Sequence, residues 1–226
     1  EKAAGEVKVC PALHRVLGTA LKIANLINHG SSEGARGFPV SSFPAFATFK
    51  VGSVSSLFFL CSKLCTPGFL DGLEADLTHV FRAARASTSA FREEVAQLAA
   101  ARADAHAHVA SERDPRAKAH AEALLFSLNG EQAQLSRVSE AAQAAVREAQ
   151  LFLCERADPP LPSEEFFGHI VQLVSHLRRV TESAEFEQHQ EQQEQERRER
   201  QRQKALWLPS AGGDPAMEPR DSDTEA

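Results

Sequence analysis

The sequence predicts an all-α protein, an elongated bundle of long antiparallel helices, and three observations carry that prediction. Alanine, glutamate, glutamine and arginine dominate outside the loops and tail, which is a helical composition. Apolar residues recur with a period near 3.6 through most of the chain, the mark of amphipathic helices. No segment of the folded part sustains the period-2 alternation of a half-buried strand. At 226 residues the chain can hold one sizeable core or two small ones. It opens on Glu1 and not on methionine, as expected of a piece of something longer.

The first element is a helix over Pro11–His29. Leu13, Val16, Leu17, Ala20, Leu21, Ile23, Ala24 and Ile27 give it a broad apolar face, so it is expected to be largely buried. Pro11 suits the first turn, where a missing N–H costs nothing, and Gly30 suits the stop. Two asparagines, Asn25 and Asn28, lie three apart on one face of this apolar helix. Asparagine competes for backbone hydrogen bonds and is a poor interior helix residue. The pair therefore either caps the helix end and its loop or marks a polar site.

A loop follows over 30–42, where three glycines, four serines and Pro39 oppose regular structure. Phe43, Phe46 and Phe49 then repeat every three residues, as in a short helical turn anchored on the core. Ser53 is a candidate cap for an apolar helix over about 54–64, ended by Thr66–Pro67–Gly68. A short helix is expected over 73–86, with Leu73, Leu77, Val80, Phe81 and Ala84 on one side, and Ser87–Thr88–Ser89 as break and cap. A long helix over 90–111 continues with Phe91, Val95, Leu98, Ala99, Arg102 and Ala105 along one face, and Asp114–Pro115 breaks it. A second long helix is expected over 115–156, its face running from Ala121 and Leu125 to Phe152 and Leu153. Gly130 lies inside it, at a cost of roughly 1 kcal/mol relative to alanine; the helix either absorbs this or kinks. Ser163 is expected to cap a last core helix, with Glu164 and Glu165 in the first turn and Phe166, Phe167, Ile170, Val171, Val174, Leu177 and Val180 inward.

Beyond 183 the chain turns polar. Glu194–Arg198 and Glu196–Arg200 are i, i+4 pairs on an otherwise stripeless charged run, read as a solvated helical extension over 184–208. From 209 the Gly, Pro, Ser and Asp content is that of a disordered tail. The folded domain is thus expected over 1–183.

Chemistry is hard to find. The net charge is −6 and no basic patch is interleaved with aromatics, which argues against a nucleic-acid binder. No run approaches the roughly 18 apolar residues of a membrane span, and no signal peptide opens the chain. Cys10, Cys61, Cys65 and Cys154 are read as reduced thiols, packed as small hydrophobes in a cytosolic setting. No zinc-like spacing follows the Cys61–Cys65 pair. His106, His108 and His120 are read as solvated, and "GSSEGARG" lacks the lysine and the preceding strand of a phosphate loop. No nucleophile–base pair is evident. These observations point to a helical interaction module, with no catalysis, no metal and no cofactor.

Ordered motifs across about 13–200 then resemble a known family, the formin homology 2 domain of the actin-nucleating formins, in its C-terminal half. The family pattern has a helix ending G-N-x-x-N-x-G, a glycine-rich loop, G-F-x-[IV/L] and an L-x-x-L-x-x-[TS]-K segment. Here these stand as "ANLINHG", "GARGFPVSSF" and "FPAFATFK". "SLFFLCSKL", "LTHVFRAARAS", the long helix pair and "ADPPLPSEEFFGHIVQL" follow in the family order. The sequence departs from the pattern at Ala24, where glycine is usual, and before Lys50, where an acid is usual. The lasso, its linker and most of the knob have no counterpart in these residues.

The resemblance implies a non-enzymatic, cytoplasmic, cytoskeletal protein that acts on actin as a head-to-tail homodimer. In such dimers the lasso of one protomer seats aromatic side chains in a groove of the other. Carried onto matching positions, that groove comprises Asn25, Asn28, Gly30, Gly37 and Phe38, and the actin-contacting basic residue is Lys50. Profilin would enter only through a proline-rich segment absent from this sequence. Plainer roles remain open for each: Asn25 and Asn28 as caps, Phe38 as a core anchor, Lys50 as a solvated lysine. Two other readings also remain, a degenerate helical scaffold that no longer binds actin and a coiled-coil tether resting on "EQQEQERRERQRQK".

Overall fold

The computed structural model describes residues 1–30, 34–52 and 54–207. They divide into two units, Glu1–Ser183 and the segment from Ala184 onward. The first unit begins with a helix not expected from the sequence pattern, α1 (Lys2–Val9), which buries Ala3, Ala4 and Val7 against later helices. Cys10 is extended and its sulfur accepts from the Leu13 amide at 3.4 Å, so it starts α2 (Pro11–His29) with Pro11 in the first turn.

The core forms where α2 and α9 (Ser163–Thr181) enclose α4 (Ser56–Leu64). The 3.6-residue period of α9 puts Phe166, Phe167, Ile170, Leu173, Val174 and Leu177 on one fully buried stripe. Val171, expected there, is half-buried, and Leu173, not expected, is buried. From α4 come Leu57, Leu60, Cys61 and Leu64. Between α2 and α4 lie a 3₁₀ turn (Val40–Ser42), α3 (Phe43–Thr48) and a minimal antiparallel hairpin, β1 (Lys50–Val51) with β2 (Val54–Ser55). Ser53, the expected cap, lies outside the described residues; Ser55 caps α4, its Oγ accepting from the Phe58 amide at 3.0 Å.

The single helix expected over 73–86 is two, α5 (Phe69–Asp76) and α6 (Thr78–Ala83). The break is satisfied from a distance. Glu6 of α1 accepts from the amides of His79 and Val80, at 2.9 and 3.1 Å, and so neutralises the free N–H groups of α6. Arg178 of α9 ties α5 into the same unit through Glu74 at 2.8 Å and Asp71 at 2.9 Å. Hydrogen bonding to these two carboxylates raises the guanidinium further above neutrality's reach.

The long pair is α7 (Thr88–Ser111) and α8 (Pro115–Phe152), with Ser87 and Asp114 as side-chain caps. Gly130 neither ends nor interrupts α8. The apolar faces expected to be buried are largely open. α7 buries no residue fully, and Leu98, Leu124, Leu128 and Val138 are each about half exposed. The cause is geometric: α7 packs chiefly on α8, and one helix cannot cover another's whole stripe. α8 ends at Phe152 and not at 156, because Cys154 turns left-handed (φ 61°) and the Glu155 amide closes on the Gln150 carbonyl at 2.8 Å. Ser163 is not the cap of α9. It is the first helical residue, after Pro162, and its hydroxyl bonds Thr88 at 2.6 Å and Glu164 at 3.1 Å.

Three of the four thiols are buried and none is in a disulfide. Cys65 bonds the Cys61 sulfur, and this with burial pushes the Cys61 thiol far up, so it stays protonated. Among the described residues no group of three or more His, Cys, Asp or Glu is placed to hold a metal. No described helix is long and apolar enough to cross a membrane.

The second unit, as far as it is described, is one helix, α10 (Ala184–Trp207), with Arg198–Glu194 at 2.7 Å and Arg200–Glu196 at 3.7 Å. The disordered tail expected from 209 lies outside the described residues.

Candidate functional site

The last two turns of α2, the loop that follows and α3 form a cleft of about 200 Å³. Its construction begins with the helix stop. Gly30 takes φ 68°, and its amide bonds the Leu26 carbonyl at 3.0 Å. Asn25 is 4 % exposed and holds the returning chain at Ala35 by both ends of its amide. Its Nδ2 donates to the Ala35 carbonyl and its Oδ1 accepts from the Ala35 amide, each at 3.0 Å. Asn25 therefore works as a staple with its amide turned into the loop.

Gly37 fixes the loop a second time by close approach. A β-carbon there would overlap the sulfur of Cys154, just past α8. Gly37→Ala is expected to destabilise the first unit by about 1–3 kcal/mol through this overlap. Cys154→Gly removes the sulfur, suits the left-handed backbone at 154, and should restore most of the loss in a thermal melt of the double variant. The third anchor is Glu155, itself buried. It accepts from the Ser41 amide at 2.6 Å and the Ser41 hydroxyl at 2.9 Å.

On this frame the aromatic residues stack edge to face. Phe38 meets Phe43 at 6.5 Å and Phe46 at 5.8 Å between ring centroids, near right angles. Phe43 is wholly buried while Phe38 is half-buried, so Phe38 is both anchor and wall. One wall of the cleft is Ala24, Ile27 and Asn28; the other is Phe38, Phe46 and Phe49. The apolar face of α2 is thus not closed over at its C-terminal end, contrary to the expectation of a largely buried helix. Ala24 and Ile27 are half-buried and Leu26 is 58 % exposed.

Of the groove residues taken from the sequence, Asn28 and Phe38 line the cleft, while Asn25, Gly30 and Gly37 shape the loop behind it. Ile27, Phe46 and Phe49 were not among them. The signal was present for Ile27, which with Ala24 and Asn28 follows i, i+3, i+4 spacing. Nothing in the sequence pointed to Glu155.

Lys50 stands apart from the cleft. It is exposed and pairs in register with Ser55, and the preceding carbonyl of Phe49 accepts from the Ser56 amide at 2.9 Å and the Ser56 hydroxyl at 3.1 Å. Phe49 and Lys50 are both extended, so their side chains turn to opposite sides. Among the described residues Lys50 makes no ion pair. The site therefore offers an apolar cleft with one polar edge and, beside it, a free cation on a pinned strand.

Residues 1–178 match the family model of the Formin Homology 2 Domain. No curated protein matches the chain.

Proposed function

Because the chain belongs to the formin homology 2 family, a family of non-enzymatic, actin-nucleating domains, we propose that its cleft receives the lasso of a second protomer and that Lys50 contacts actin. The observation that carries this reading is the open cleft itself. It lies where the helix ends "ANLINHG", is lined by Ala24, Ile27, Asn28 and three phenylalanines, and has room for one large side chain. Asn28 gives that side chain a polar edge to bond, and Gly30, Gly37 and Asn25 keep the wall in place.

The mechanism in this reading is steric. A homodimer holds two actin subunits at a growing barbed end, and tethering replaces a bimolecular encounter with a high effective concentration. No bond is made by the protein and no cofactor is used. Profilin enters only through a proline-rich segment that these residues do not contain, and the working place is the cytoplasmic cytoskeleton. We take 184–208 as a helical extension of the domain and 209–226 as its tail.

The test is occupation of the cleft. In the complete domain, Asn28→Trp places an indole where the lasso would sit and is expected to weaken self-association at least ~10-fold, read by sedimentation equilibrium. Asn28 is exposed, so folding should be unaffected. A dimer of unchanged strength would sink the assignment.

A second reading, a scaffold that kept the fold without actin, is favoured by one observation. The methyl of Ala24 forms part of the cleft wall at a position where the family usually has glycine. Co-sedimentation of the complete domain with filamentous actin separates the two, since the scaffold stays in the supernatant.

A further inference from the structure

A second cavity, of about 240 Å³, lies at the root of the α7–α8 hairpin, where the 158–163 turn passes beneath it. Two arginines line it, Arg92 of α7 and Arg147 of α8. Neither has an ion-pair partner among the described residues, and Arg147 Nη1 is buried with no hydrogen bond at all. Arg147 is half-buried, so its other nitrogens still reach water, but a buried guanidinium N–H without an acceptor calls for an explanation. No carboxylate lines the cavity. Thr88, Ser89 and Ser163 add hydroxyls, and Val146, Pro160, Leu161 and Pro162 make the rest of the wall apolar. Gln150 fixes that wall, its Nε2 donating to the Leu161 carbonyl at 2.7 Å.

We propose that this cavity is a docking site for an acidic peptide, taking a carboxylate side chain on Arg92 and Arg147 and a neighbouring apolar side chain against Pro160–Pro162. A guanidinium pair suits a carboxylate by shape and charge. A prolyl and aliphatic wall with a few polar groups suits the body of a peptide more than a small bare anion. Glu164 already takes the hydroxyl hydrogens of Ser87 and Ser163, each at 3.1 Å, so the hydroxyl cluster is engaged and the guanidinium pair is left to receive the ligand. The site is separate from the α2–α3 cleft and from Lys50, so it stands or falls independently of the lasso and actin assignments.

The experiment uses the whole chain, labelled with ¹⁵N, and two probes, acetyl-Leu-Glu-Leu-Glu-Leu-amide and its Leu-Gln counterpart. The acidic peptide is expected to shift the Arg147 and Arg92 Nε–H signals and the amides of Thr88 and Ser163, and the neutral peptide is not. Arg147→Met and Arg92→Met, each, should weaken the acidic peptide at least ~10-fold with melting temperature unchanged; Arg92 is exposed, so its variant serves even if Arg147→Met disturbs packing. Equal binding of the neutral peptide would overturn the proposal. So would inorganic phosphate alone producing the same shifts at the same concentration, since the site would then be a general small-anion site.

Discussion

Lys50→Asp in the complete domain is expected to abolish actin assembly above the spontaneous rate while leaving the melting temperature within about 1 °C of the parent. The stability half follows from the local structure. Lys50 is exposed and without an ion pair, and its strand is held by backbone pairing with Ser55 and by Ser56 bonding the Phe49 carbonyl. None of these bonds uses the lysine side chain. The activity half follows from charge. Against an acidic actin surface the substitution exchanges an attraction for a repulsion, a change of two charge units. At 4 Å one such unit is worth about 1 kcal/mol in bulk water and about 4 kcal/mol near a protein surface, so the reversal costs roughly 2–8 kcal/mol. Even the lower figure is about a 30-fold loss of affinity. Lys50→Ala removes the attraction alone and should fall between the two, and the gap between Ala and Asp should narrow with added salt as screening grows. Pyrene-actin assembly measures all three. Kinetics indistinguishable from the parent in the aspartate variant would remove Lys50 from the actin surface.

The two asparagines show how far a sequence carries such an argument. Both were legible as exceptions on an apolar helix, and their three-residue spacing put them on one side. Spacing does not show which is turned toward the loop, and there they part: Asn25 closes on Ala35, ten residues on, while Asn28 faces the cleft. The helical architecture was legible for the same reason α9 was, since its stripe is long, continuous and packed on one side by several elements. Where an element's environment comes from remote sequence, local patterning misled. The break between α5 and α6 depends on Glu6, over 70 residues earlier, lending its carboxylate to two amides. α7 has the periodicity of a buried helix but packs chiefly on α8, and α8 mainly on α7 and α1, so much of each stripe is open. α1 was missed because eight residues contribute too few apolar positions to establish a period. Of the aromatic triplet, Phe43 and Phe46 lie on the short helix and are buried, while Phe49 falls past its end. Phe49 is 44 % exposed because α3 ends at Thr48 and the chain turns into β1 there.

Glu155→Ala should lower the unfolding free energy of the first unit by about 2–3 kcal/mol, in the upper part of the range expected for Gly37→Ala. Its carboxylate is 4 % exposed and makes two bonds to one residue, the Ser41 amide on Oε1 and the Ser41 hydroxyl on Oε2. Bonds to an ionised acceptor contribute about 1.5–3 kcal/mol each; Ser41 is itself exposed, so water recovers part of the loss. For a unit of this size each 1 kcal/mol moves the melting temperature by roughly 2–4 °C, so a fall of about 4–12 °C is expected. Glu155→Gln keeps Oε1 as an acceptor for the amide but forfeits the charge, and its new NH₂ cannot accept from the Ser41 hydroxyl; that bond survives only if the hydroxyl turns to accept from the NH₂. Its loss should be about half as large. The consequence reaches the cleft because Ser41 belongs to the 3₁₀ turn that delivers Phe43 to the core and Phe46 to the cleft wall. With that turn released, the Phe38–Phe46 contact loses its backing. Self-association of the complete Glu155→Ala domain should then weaken in proportion to the loosened wall, but by less than with Asn28→Trp, which fills the cleft outright. A melting temperature unchanged in Glu155→Ala would mean that the loop holds its place through Asn25 and Gly37 alone.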